Sequence, residues 1–317
     1  MSKEDHNQSI HPLYLNTYQG SASHPDAPTG VGGFGHFTQV GTLRTQLAQS
    51  QSGVSSPIPH PASPAARKVT QQQIAAAAKK QSFSITMLPG IMTAKGWTKG
   101  AELMNKWFAR SAKIAPDYGS PDTTTITMQW LLGFKRASDV FDKLVADRIW
   151  QNEPARKAIA KMLADKNMLI PNSCFTNPFG EFSRTVDKLD SDYINQRVLG
   201  MSWDLDDLNA ALANFVFNVV VAGRVSSDDK AGKGYIVEID QVGVYMKDSY
   251  DFVGSQFLGY WDPSDNSVSM LNPFSGNAVH NLDFANWRTA NGMGGDFRVF
   301  SDLKLIPQKA PFSFRIP

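Results

Sequence analysis

The chain has 317 residues, 42% of them hydrophobic, which leaves room for one large domain or two ordinary ones with a sizeable core. A net charge of +2 and the lack of a long basic run argue against a protein that holds nucleic acid through its charge. The single cysteine, Cys174, excludes an internal disulfide and a cysteine-based zinc cluster, and no run of about 18 apolar residues is there to cross a membrane.

Residues 1–80 stand apart from the rest. They hold seven Pro, seven Gly and nine Ser but no Trp, and stretches such as SQSGVSSPIPHPASPAARK bury too little apolar area to offset the entropy of ordering. They are expected to form a disordered N-terminal leader, either a linker or a docking and export segment, with a short helix at QQQIAAAAKK before the folded part. The start, MSKEDHNQSIHPLYLNTYQG, is polar and acidic and lacks the basic-then-apolar pattern of a secretory signal. The expectation is synthesis in the cytoplasm, with any export following a route that reads no such signal.

Residues 81–317 read as one α+β domain, helical over 81–213 and β-rich over 214–317. SFSITMLPG predicts a short strand ended by Pro89 and Gly90. WTKGAELMNKWFAR places Leu103, Met104, Trp107 and Phe108 on one helical face. TTTITMQWLLGF is β-branched and predicts a strand. SDVFDKLVADRIW predicts a helix capped by Ser138, and EPARKAIAKMLADKN one with Pro154 in its first turn. WDLDDLNAALANF predicts a capped helix starting near Asp204. The period then shortens: FVFNVVVAGRV, GYIVEIDQVGVYMKD, SQFLGYWD, NSVSMLN and DFRVFSDLKLI all predict strands of a mainly antiparallel sheet, with turns between them.

Histidine filters the chemistry. His6, His11, His24, His36 and His60 lie in the leader, so a histidine-dependent site in the folded part must use His280. The chain contains no G-x-S-x-G, P-loop or H-E-x-x-H sequence, and its one glycine-rich run, GVGGFGHF, falls in the leader with no strand predicted before it and no helix after it, so it is set aside as a dinucleotide loop. Carboxylates remain. YMKDSYDFVGSQFLGYWD reads as a hairpin turning at Gly254, with Asp248, Tyr250 and Asp251 set among aromatic residues. On a regular strand Asp248 and Asp251 face opposite sides; a kink at Ser249-Tyr250 would bring them together to share acid–base work or to hold Mg²⁺ through oxygen ligands. The plainer alternative is that both bind backbone amides and end the strand. A second cluster, HNLDFANWRTANGMGGDFRVFSDLK, supplies His280, Asp283, Arg288 and Asp296 beside a glycine-rich turn. There Arg288 suits a phosphate, unless the segment is simply a helix over 282–290 closed by a glycine cap.

Three segments carry a resemblance: LPGIMTAKGWTKGAELMNKWF, VGVYMKDSYDFVGSQFLGYW and FANWRTANGMGGDFRVFSDLK, together spanning roughly 85 to 305. They resemble a proteobacterial family of unknown function found near type VI secretion genes. This implies an antibacterial effector made in the cytoplasm, delivered into a target cell, and met by an immunity protein and a component of the secretion apparatus. Locally, DSYD is similar to the D-x-Y-D signature of colicin M-type bacteriocins, α+β enzymes that use Mg²⁺ to cleave a lipid-linked cell-wall precursor at its pyrophosphate. Asp248, Tyr250 and Asp251 match that signature. The His-Arg pair that follows it in those enzymes is replaced by Gln256-Phe257-Leu258, so His280 and Arg288 would have to serve instead. The resemblance thus implies a carboxylate hydrolase with catalytic Asp248, Tyr250, Asp251, His280 and Arg288, and with Asp248 and Asp251 as the metal ligands. The competing expectation is a non-enzymatic secretion adaptor or interaction module.

Overall fold

The computed structural model describes residues 83–171, 173–200, 202, 204–228 and 234–317. The expected leader, its boundary near 80 and the helix at QQQIAAAAKK lie outside them. In chain order the elements are α1 (Leu88–Ala94), α2 (Thr98–Ala109), α3 (Met128–Leu131), α4 (Lys135–Ala146), α5 (Glu153–Asp165), β1 (Thr176–Phe179), α6 (Val186–Leu189), β2 (Asn195–Leu199), α7 (Asp207–Ala211), β3 (Phe215–Ser227), β4 (Tyr235–Tyr250), β5 (Phe257–Asp262), β6 (Ser267–Ser269), β7 (Asn277–His280), α8 (Asn281–Asn291), β8 (Phe297–Phe300), β9 (Lys304–Ile306) and β10 (Phe312–Ile316). Helices dominate the first half and antiparallel sheets the second, an α+β arrangement.

Several elements differ from expectation. SFSITMLPG is not a strand: a 3₁₀ turn over Ile85–Met87 runs into α1, whose first turn holds Pro89 where a missing N–H costs nothing. TTTITMQWLLGF is not a strand either. The Asp122 carboxylate accepts the N–H groups of Thr124 and Thr125 at 3.2 and 2.8 Å, which turns the chain, and Thr127 then caps the short α3. Helix α4 begins before Ser138, and α7 begins at Asp207, capped by the Asp206 side chain on Asn209 N–H at 2.9 Å. The helical half also contains β1 and β2, two polar strands that add to β3.

The expected hairpin at Gly254 is a turn between two sheets. Gly254 has φ +82°, but β4 belongs to a seven-stranded sheet built on the long β3–β4 pair, whereas β5 is the centre of a three-stranded sheet ordered β6-β5-β7. In the larger sheet β4 pairs with β3, β8, β9 and β10. From Val242 to Tyr250 every residue of β4 is buried, because both faces of the sheet are covered. Val242, Val244, Met246 and Tyr250 join the main core, while Tyr245 joins a smaller cluster with Leu189, Val220 and Phe300.

Trp107 of α2 sits at the centre of the main core with no exposed surface. Its ring meets Phe108, Phe252, Phe284 and Trp287 at centroid distances of 5.3, 5.0, 5.3 and 6.0 Å. Gly294, at φ +92°, passes so close that a Cβ there would stand 2.5 Å from the Trp107 ring. Replacing Trp107 by Ala leaves a cavity that fixed backbone cannot fill, and is expected to cost about 3–5 kcal/mol of stability; urea denaturation followed by circular dichroism measures it.

Candidate functional site

The end of β4 carries the acidic signature, and its register decides what the signature can do. Lys247, Asp248, Ser249 and Tyr250 pair in unbroken succession with Phe300, Val299, Arg298 and Phe297 of β8. The expected kink at Ser249-Tyr250 is not there. Side chains alternate, so Asp248 and Tyr250 share the face toward the main core, while Ser249 and Asp251 face the other way.

On the core face, Asp248 is fully enclosed and its Oδ2 has no hydrogen-bond partner. Burial pushes its carboxyl pKa well above the ordinary 3.8; a hydrogen bond from the Ser249 backbone opposes the shift and the charge of Asp251 adds to it. The Tyr250 hydroxyl is likewise buried and unpartnered, its ring stacked on Phe297 at 5.4 Å. Burial, with Asp248 nearby, raises the Tyr250 pKa. Both are polar groups buried on the core face, Tyr250 among the rings of Phe252 and Phe297.

On the opposite face the groups are of another kind. Tyr118, from the loop after α2, donates its hydroxyl to Asp251 Oδ2 at 3.4 Å and also engages the Ser249 side chain. The Arg298 guanidinium lies over the Tyr118 ring at 5.1 Å. Burial, with Asp251 and Asp296 nearby, pushes the Tyr118 hydroxyl up to about 12, against the pull of Ser249 and Arg298, so it stays a donor at neutral pH. Tyr118 and Arg298 are half-buried; Asp251 and Ser249 are buried. A buried carboxylate, a phenol and a guanidinium thus meet around Tyr118 at the end of β4.

The remaining expected residues stand elsewhere. Arg288 is 5% exposed and committed inside the fold: its Nε donates to Gly294 O at 2.6 Å, its Nη2 binds Asp296, and its guanidinium lies over Trp107 at 5.1 Å. It is a structural group and offers no fork to a phosphate. His280 precedes α8, where its backbone N–H binds the Asp283 carboxylate at 2.7 Å and its ring packs on Phe257 at 5.2 Å. The expected glycine cap is present as Gly292 at φ +63°.

Asp248 and Asp251 are thus not placed to share a Mg²⁺: the side chain of one is turned to the core and that of the other to the opposite face of the strand. Among the described residues no group of three or more His, Cys, Asp or Glu is placed to hold a metal ion. Sequence reasoning missed Tyr118 and Arg298. Arg298 was legible, since strand alternation sets it against Phe297 and Val299; Tyr118, 133 residues from Asp251, left no local signal.

The fold and site define an α+β protein whose central strand ends in a carboxylate–phenol–guanidinium cluster. The chain belongs to the family of unknown function DUF6402, which matches residues 83–276 and 275–316. No curated protein matches it, and no solved structure does.

Because burial raises the Asp248 pKa, the folded state holds this proton more tightly than the unfolded chain. The stability linked to it is complete below the ordinary carboxylate value and is lost as pH rises toward the folded value. Asp248→Asn keeps the shape without titrating. Its stability relative to wild type is expected to increase from about pH 4 upward, by at most about 1.4 kcal/mol per pH unit; urea denaturation of both proteins at three pH values checks the sign.

Proposed function

We propose that this protein is an antibacterial effector delivered by type VI secretion, and that it hydrolyses a phosphate-linked cell-wall precursor at the cluster of Asp251, Tyr118 and Arg298. The resemblance of its segments supports the delivery route and the target. The observation that carries the chemistry is the Tyr118–Asp251 contact at 3.4 Å with Arg298 against the same ring. In this reading Asp251 takes a proton from the attacking water, whose oxygen forms a bond to phosphorus. Arg298 offsets charge on the phosphoryl oxygens, and Tyr118, whose one O–H is given to Asp251, holds that carboxylate in position. The bridging P–O bond breaks, and the leaving phosphate carries the electron pair. Asp248 holds the strand end from the core side. Cytoplasmic synthesis, a lipid-linked substrate such as lipid II, an immunity protein and a partner in the secretion apparatus belong to the same proposal.

A second reading, a non-enzymatic adaptor or interaction module, draws support from the turn beyond β6. There Phe274 is 95% exposed and Leu271 83% exposed, both in the segment that joins β6 to β7 of the smaller sheet.

One experiment separates the two. The full chain is expressed in a Gram-negative host with and without a periplasmic export sequence, as wild type and as Asp251→Asn, Arg298→Gln and Asp248→Asn. The hydrolase reading expects killing only with export. It also expects roughly a hundredfold more survivors for Asp251→Asn and Arg298→Gln, the scale of losing one transition-state contact, while Asp248→Asn still kills. Killing that survives both substitutions, in proteins that remain folded, ends that reading. No killing in either compartment, with partner capture lost in Phe274→Ser, favours the adaptor. The purified protein assayed on lipid-linked precursor with and without a chelator decides whether Mg²⁺ takes part.

A further inference from the structure

A cleft of about 500 Å³ opens between the turn joining α4 to α5 and the segment between β9 and β10. Val145, Trp150, Ile306 and Phe312 give it an apolar floor, and Arg148 and Lys309 stand at its edge. No acidic side chain lines it.

The nearby acids are already occupied. Asp147 is bound by Arg197 at 2.5 Å and by Lys143 at 3.1 Å, and Glu153 by Lys157 at 2.7 Å. Among the described residues neither Arg148 nor Lys309 has an ion-pair partner. A third cation, Arg156, lies over the Phe312 ring at 5.3 Å.

Two further observations mark the place. Trp150 is only 2% exposed, yet its indole N–H has no acceptor, an orphan that a folded protein leaves at a cost. Arg148 adopts φ +45°, a backbone region that Gly or Asn enters more easily, so this turn keeps a long cation where a smaller residue would fit with less strain. The cleft's size falls within the range of about 300–1,000 Å³ typical of sites for small organic ligands.

We propose that this cleft binds a small organic anion, its carboxylate or phosphate held by Arg148 and Lys309 and its apolar body resting against Val145 and Phe312. The site shares no residue with the Asp251 cluster and stands whether or not that cluster is catalytic.

Isothermal titration of the full chain with phenyl phosphate, benzoate, inorganic phosphate and benzyl alcohol tests it. Phenyl phosphate or benzoate is expected to bind at a single site, and the tighter of the two identifies the head group. Inorganic phosphate and benzyl alcohol, each lacking one half of the ligand, bind roughly tenfold more weakly or not at all. The double variant Arg148→Gln, Lys309→Gln changes only exposed side chains. It should keep the wild-type melting temperature and lose roughly tenfold or more in affinity for the anion. Absence of saturable binding by both aromatic anions overturns the proposal, as does equal affinity in the double variant. Inorganic phosphate binding as tightly as phenyl phosphate overturns the apolar seat.

Discussion

A buried charge holds the two halves of the fold together. Asp296, with no exposed surface, accepts the indole N–H of Trp107 at 2.8 Å and the backbone N–H of Ala115 at 3.1 Å, and meets the guanidinium of Arg288. Burial pushes its pKa up, while Trp107 and Arg288 pull it down; with every neighbouring group a donor, the carboxylate is the form that fits. One carboxyl group thereby ties the helical half, through Trp107, to α8 and to the strand that follows it. Truncating any partner would strand a charge in the core, and such losses cost far more than an ion pair contributes when intact.

The same economy governs β4. It is flanked by strands on both edges and covered on both faces, so its polar groups must be satisfied from within. On the smaller cluster's side the protein does this well: Lys247 binds Asp190 at 2.6 Å and the Tyr245 hydroxyl binds the same carboxylate at 2.8 Å. On the core side it does so only in part: Asp248 Oδ2 and the Tyr250 hydroxyl have no hydrogen-bond partner. Strand alternation thus divides a four-residue motif into one half that faces the main core and another, also buried, that meets Tyr118 and, across its ring, Arg298.

Long hydrophobic elements could be read from the sequence. The β-branched run FVFNVVVAGRV and the strand that follows it are the paired spine of the larger sheet, and the Trp107 stripe is a core face as its spacing implies. Elements governed by contacts far along the chain could not. The strands TNPF and NQRVL are too polar to announce themselves and exist because β3 offers an edge. TTTITMQWLLGF has strand propensity throughout, yet the Asp122 side chain claims the amides a strand would need. In the site, Asp251 was visible as an acid among aromatic residues. Its companion Tyr118 lies on an irregular loop that becomes adjacent only on folding, and Arg288 looked like a phosphate ligand because nothing local reveals that Asp296 occupies it.

The turn that holds Phe274 and Leu271 in water has its own consequence. An aromatic ring kept 95% exposed adds nothing to the stability of the isolated chain. A polar side chain in its place would therefore leave the fold as tightly packed as before and alter only the face that the smaller sheet turns to water.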